Sequence, residues 1–320
     1  MRAALTLGLA VLPLPFVSAL AAAQDSAPAL HRFQQKEARL FHIGWRLVSA
    51  NAPFCAERRS GVGLLLHDAA SYGSPQAVMD TLGLSGPIGI QAVAPGSPAG
   101  LTGLTRNDTL VSIDERLIAD WPFDQDARWT RMTAINDWLD ERLAANKSVM
   151  LRWRSAKGME RETVLFAAPA CPSRFELAGS GDRAVAEGTR VIFGPDFEGF
   201  EYDDDLLAAA IAHELAHNLL GHRARLDASG RGWSKVRETE READRLAPWL
   251  LANAGYPPDA AIRFMQTWGP RNDGGLFRKR THDGWDERVE MIEAEVPLVR
   301  AAVERTGMAD WQTRFERTPD

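Results

Sequence analysis

The chain has 320 residues, of which 45% are hydrophobic and 25% are charged, and its formal net charge is −6. These values are typical of globular proteins with about two domains, and they argue against disordered chains and against a general nucleic-acid binder, which needs a basic face. Because Cys55 and Cys171 are the only cysteines, a cysteine-rich zinc module and an iron–sulfur cluster are excluded.

Residues 1–23 have the layout of a secretory signal peptide. A positive residue precedes an apolar stretch that two prolines interrupt, and three alanines precede Gln24. An uncleaved membrane anchor is the alternative, but the prolines and small residues favour cleavage. We therefore expect an exported protein, periplasmic or secreted, with no stable membrane span after cleavage. In such an oxidising compartment, Cys55 and Cys171 most simply form one disulfide.

Hydrophobic periodicity predicts an α+β chain. Helices are predicted at 27–49, 130–146, 206–220, 234–253, 259–268 and 287–304. Strands are predicted at 88–93, 109–113, 148–154, 160–166 and 190–193, with a strand or a buried turn at 61–67. The glycine-containing segments 223–233 and 269–286 are predicted as loops.

The order of elements between residues 82 and 168 resembles that of a bacterial PDZ domain. The resemblance is carried by GSPAGL at 96–101 and by Asn107-Asp108 before a strand, where the family usually has glycine-aspartate. PDZ domains bind extended peptides by strand addition, so the resemblance implies a substrate-recruiting segment, although Pro87 lacks an N–H donor. A structural spacer without a ligand is the alternative. The implied peptide-binding positions are Leu84, Gly86, Ile88 and Ile90.

The strongest chemical signal is an HExxH motif from His213 to His217, which lies in a predicted apolar helix. Histidines four residues apart share one helix face, so both rings can reach one Zn²⁺ at about 2.0–2.1 Å. Glu214 lies beside them and can take a proton from the attacking water. Solvated histidines on a helix surface are the alternative, which the apolar surroundings disfavour.

A catalytic zinc site also needs a third protein ligand and an open position. In the metzincin arrangement a third histidine follows the second by six residues, but Arg223 occupies that position and His222 lies one position early. The next predicted helix offers Glu238, Glu240 and Glu242. Residues two apart on a helix point about 200° apart, so only one face can meet the metal.

HELAH followed by ExxAD at 240–244 resembles the HtpX-like and BepA-like zinc metallopeptidases, which are related to the CAAX prenyl proteases. The resemblance implies one Zn²⁺ per chain, Glu240 as the third ligand and Asp244 as the acceptor of a hydrogen bond from a ligating histidine. His282 is expected near the cleft, where it would stabilise the oxyanion or bind zinc in a resting state, and an ordinary surface histidine is the alternative. We expect Glu240→Ala to lose zinc and Glu242→Ala to keep most of it.

The peptidase resemblance covers residues 171–320 and the first mature helix. Residues 24–75 would then lead into a mainly helical, zincin-type peptidase domain with a small sheet, and the β-rich PDZ-like segment 82–168 would be an insertion. Cys55 and Cys171 flank this insertion, so a disulfide would clamp its ends.

These resemblances imply an exported zinc endopeptidase that hydrolyses peptide bonds of envelope proteins or peptides. The predicted strand 190–193 is expected to be a sheet edge that holds the substrate as an added strand, and an ordinary sheet edge without substrate is the alternative. A non-catalytic peptide-binding or chaperone-like protein with a structural metal site is the alternative. A structural site is usually closed by four protein ligands, and His282 would be the fourth.

Overall fold

The computed structural model describes residues 27–272 and 283–317, and its architecture is α+β as predicted. The helices are α1 (Ala27–Asn51), α2 (Pro75–Leu82), α3 (Thr130–Asn146), α4 (Asp204–Leu219), α5 (His222–Ser229), α6 (Trp233–Asn253), α7 (Ala260–Asn272), α8 (Trp285–Thr306) and α9 (Trp311–Arg314). The strands are β1 (Arg59–Gly61), β2 (Leu64–Asp68), β3 (Ile88–Val93), β4 (Thr109–Ile113), β5 (Arg116–Leu117), β6 (Ser148–Arg154), β7 (Glu160–Phe166), β8 (Ala168–Ala170), β9 (Arg174–Leu177), β10 (Ala184–Ala186) and β11 (Arg190–Phe193).

The predicted signal peptide and His282 lie outside the described residues. Within the two described ranges, no helix combines the length and the apolar character that crossing a membrane would need.

The largest hydrophobic core joins the first helix to the C-terminal helices. Leu47 of α1, Leu207 of α4 and Leu250 of α6 are completely buried in it. Alanines at 208–210 and at 212 are also buried, and their small side chains allow neighbouring elements to approach α4 closely. The N-terminal helix therefore packs with the segment that follows the predicted insertion.

A three-stranded sheet covers one side of this core, in the order β10–β11–β9. Strand β11 is parallel to β9 and antiparallel to β10. The expectation that residues 190–193 form a free edge is therefore wrong, because this strand has a partner on both sides. The edge next to α4 is β10, which has only three residues and no alternating pattern that would have indicated it.

A six-stranded sheet carries a second core with α3, in the order β2–β3–β4–β6–β7, with β5 paired to β4. One strand of this sheet, β2, precedes residue 82, which is the predicted start of the PDZ-like segment. Strand β3 pairs with β2 on one side and with β4 on the other. Ile88 and Ile90 are completely buried and Leu84 is buried, so the predicted peptide-binding strand offers no free edge.

A disulfide and a pair of short strands close the base of the six-stranded sheet. Cys55 and Cys171 form a disulfide with their Cα atoms 5.6 Å apart, which confirms the predicted pairing. Strands β1 and β8 pair antiparallel directly beside it. The polypeptide therefore leaves the helical core and returns to it at one point, as a clamped insertion requires.

Candidate metal centre

Helix α4 positions the HExxH residues in the middle of the protein. It begins at Asp204, and His213, Glu214 and His217 lie in its second half, where Leu215 and Ala216 between them are completely buried. Helix α6 packs along α4 and brings Glu240 and Asp244 against the two histidines. Ala243, which is completely buried, provides the small side chain that this close approach needs.

The side chains of His213, His217 and Glu240 converge on one point. The two Nε2 atoms are 3.2 Å apart, and each lies 3.5 Å from an oxygen of Glu240. One ligand atom from each residue lies within 4.8 Å of the others. Tetrahedral zinc with bonds of about 2.0–2.1 Å separates its ligand atoms by about 3.3 Å, so these residues fit zinc in donor chemistry and in spacing.

The Asp244 carboxylate contacts the His213 ring on the side away from the convergence point. Nδ1 of His213 lies 3.0 Å from Oδ1 of Asp244, and Arg288 donates to both Asp244 oxygens at 2.6 Å. Burial disfavours protonation of His213, but hydrogen bonds to Asp244 and Glu240 outweigh burial and raise its pKa to about 10, so a metal that binds Nε2 would displace a proton from this ring. Asp244 keeps a lowered pKa despite its own burial, because Arg288 and His213 stabilise its charge. The arrangement turns Nε2 of His213 toward the convergence point.

On the side away from the convergence point, the His217 ring contacts a second imidazole, that of His222. Nδ1 of His217 lies 2.9 Å from Nδ1 of His222, and Nε2 of His222 lies 2.9 Å from Oε2 of Glu242. Burial lowers the pKa of His217 to about 3, so its ring is neutral at physiological pH. A neutral ring with one free nitrogen is the form that binds a metal.

Glu214 is placed to act as a base beside the three ligands. Burial raises the pKa of its carboxyl to about 7, and the main-chain N–H of Ala186 donates a hydrogen bond that partly opposes this increase. A general base works best when its pKa lies near the working pH. The contact also fixes the distance between Glu214 and the edge strand β10.

These residues lie in a cleft of about 980 Å³. Strand β10 forms one wall, and side chains from α4, α6 and α7 form the others. Phe264, Met265 and Trp268 of α7 make one part of the cleft apolar, and Arg183, Arg223 and Arg231 line other parts. The cleft therefore offers an extended main-chain edge, an apolar wall and the carboxylate of Glu214 in one space.

The structure brings together five of the predicted site residues, namely His213, Glu214, His217, Glu240 and Asp244. The predicted peptide-binding positions Leu84, Gly86, Ile88 and Ile90 belong to the six-stranded sheet and its lead-in, and none of them lines this cleft.

Sequence reasoning assigned no role to His222, because it was tested only as a third metal ligand. Comparisons with protein-family models, with curated proteins and with solved structures gave no match.

Proposed function

We propose that this chain is an exported zinc endopeptidase, with His213, His217 and Glu240 as the metal ligands. The observation that carries the proposal is the convergence of these three side chains beside the buried Glu214, in a cleft that is walled by a strand edge. Among the described residues, the cluster that could hold a metal contains three ligands, which leaves a tetrahedral ion one open position. His282, the candidate fourth ligand, lies outside the described residues, so the intact Glu214, for which a structural site has no use, is what favours catalysis.

When bound, zinc would supply Lewis acidity to a scissile carbonyl and to the attacking water. Glu214 accepts the proton that this water loses as it attacks the carbonyl carbon. The same carboxyl then gives the proton to the leaving amine as the C–N bond breaks, so Glu214 ends in its starting state. Its raised pKa suits both the uptake and the release of a proton near neutral pH.

The substrate strand is assigned to β10 rather than to β11. In the antiparallel ladder, Glu187 donates to Arg190 and Gly194 donates to Arg183, so odd-numbered residues of β10 bond to β11. The main-chain groups of Ala184 and the carbonyl of Ala186 consequently point the other way, whereas the N–H of Ala186 is bonded to Glu214. An extended peptide could pair with them as an added strand and cross the metal site beside Glu214.

For the six-stranded sheet we favour the spacer role over substrate recruitment. Strand β3 is paired on both sides, and the edge strand β2 is tied to α3 by a buried ion pair between Asp68 and Arg131. The Asp68 side chain is fully buried in this pair.

Glu214→Gln tests the proposed function directly. Glutamine keeps the size of the side chain but cannot take the proton, so hydrolysis of an unfolded protein such as casein should fall by at least about 10²-fold. Zinc content, measured on the same purified protein, should stay at one ion per chain. Glu290→Gln is the matched control, because Glu290 is exposed on α8. Casein cleavage by the Glu214 variant at the wild-type rate would contradict the proposal.

A further inference from the structure

His222 reaches the metal site because the helix breaks just before it. On a continuous helix, a residue five positions after His217 would point about 140° away from it. Helix α4 instead ends at Leu219, and Gly221 adopts a left-handed conformation with φ of 67°, which glycine reaches without steric cost. Helix α5 then begins with His222, whose ring returns to within hydrogen-bonding distance of His217. The side chain of His222 is almost completely buried.

With a metal at Nε2 of His217, the hydrogen-bonding distances assign a proton to one nitrogen of each ring. If Nε2 of His217 faces the metal, its single proton must be on Nδ1, which then donates to Nδ1 of His222. His222 must accept with that nitrogen, so its own proton is on Nε2 and is donated to Glu242. We propose that His222 is a positioning residue, which holds His217 in the tautomer and orientation that binds zinc.

Glu242 completes this arrangement at its far end. Its side chain is fully buried, and Arg225 and Arg317 lie 3.1 and 3.3 Å from Oε2, the oxygen that accepts from His222. Both guanidinium groups hold this carboxylate in place, so Oε2 is positioned as the acceptor for Nε2–H of His222. Glu242 acts through His222 from the side away from the metal.

The two metal-binding histidines are thus supported in different ways. His213 contacts Asp244 directly, whereas His217 is linked to Glu242 through the imidazole of His222. Partners of this kind contribute about 10–100-fold to metal affinity or activity in other metal sites. From the sequence we expected Glu242→Ala to keep most of the zinc, but its contacts now argue for a measurable loss.

The inference rests on the proposed zinc site, and the affinity for Zn²⁺ tests it without any substrate. Purified wild type, His222→Leu and His222→Asn are titrated with Zn²⁺ against a chelating dye. Leucine fills a similar volume but leaves Nδ1–H of His217 without an acceptor, so affinity should fall by about 10–100-fold. Asparagine places its carbonyl oxygen near the position of Nδ1 and can accept that hydrogen, so most of the affinity should return.

His67→Leu is the matched control, because His67 is also buried but lies in β2 of the six-stranded sheet. It should bind Zn²⁺ as tightly as wild type. Should His222→Leu fail to fold, His222→Asn still tests the inference, because it should keep an affinity within a few-fold of wild type while Glu242→Ala falls below it. Wild-type affinity in His222→Leu, or equal losses in the leucine and asparagine variants, would overturn the role of His222. A wild type that binds no Zn²⁺ would overturn the proposed function as well.

Discussion

Glu37 of α1 lies where this helix meets the six-stranded sheet. Nε2 of Gln91, a completely buried residue of β3, donates to Oε2 of Glu37, and Gln34 donates to Oε1 of Gln91 at 3.0 Å. Loss of hydration raises the pKa of Glu37 from 4.5 to about 7, although the hydrogen bond from Gln91 works in the opposite direction. The folded protein therefore holds a proton here that the unfolded chain releases at a lower pH.

The sign of the effect on stability follows from this difference. Below pH 4.5 the Glu37 carboxyl is neutral in the folded and the unfolded states, so it does not reduce the free energy of unfolding. Above about pH 7 the folded protein must carry the charge in a poorly hydrated position, which lowers that free energy. At about 1.4 kcal/mol for each pH unit, the full cost is about 3 kcal/mol. Because the Glu37 side chain keeps some exposure to water, we take about 2 kcal/mol as the expected value.

Glu37→Gln removes the charge and keeps an oxygen that can accept from Gln91. Urea unfolding, followed by tryptophan fluorescence without reductant, should show the variant about 2 kcal/mol more stable than wild type at pH 8. At pH 5 the two should differ by much less. Glu57→Gln is the control for the loss of one negative charge, because Glu57 is exposed. Equal differences at pH 5 and pH 8 would refute the reasoning.

Two further predictions concern the disulfide and the third metal ligand. Denatured, unreduced protein should show almost no free thiol in an Ellman titration, since Cys55 and Cys171 are bonded, and two thiols per chain would contradict the clamp. Glu240→Ala should purify without zinc, because it removes one of three converging ligands, whereas Glu238→Ala should keep the metal. Metal analysis of the two variants decides this, and the reverse result would transfer the ligand role to Glu238.

Local periodicity predicted the parts of the site that lie within single helices. The spacing of His213 and His217 places them on one face whatever the rest of the fold does. Glu240 and Asp244 also share a face, but the choice of Glu240 over Glu238 and Glu242 rested on the family resemblance. The strands with alternating burial, such as β6, were also predicted with their observed bounds. These helices and strands were predictable because their sequence patterns depend only on residues within seven positions of one another.

Features that depend on distant pairing were missed or predicted wrongly. The free edge was assigned to residues 190–193, because three residues of sequence AVA at 184–186 carry too weak a pattern to indicate β10. Residues 223–233 were predicted as a loop, although α5 occupies most of that segment after the turn at Gly221. His222 was therefore considered only by its spacing along one helix, which says nothing about a ring that returns after a break.

The corrected edge strand leads to a test of how substrate is held. Ala184 points its N–H away from β11, so Ala184→Pro removes one outward donor and no hydrogen bond of the ladder, whereas Val185→Pro would break the pairing with Ile192. We expect Ala184→Pro to raise KM for casein several-fold while zinc content stays at the wild-type level. Ala184→Ser, which keeps the donor, serves as the control. An unchanged KM in the proline variant would show that substrate does not pair with β10 at this position, and the assignment of the substrate strand would have to be abandoned.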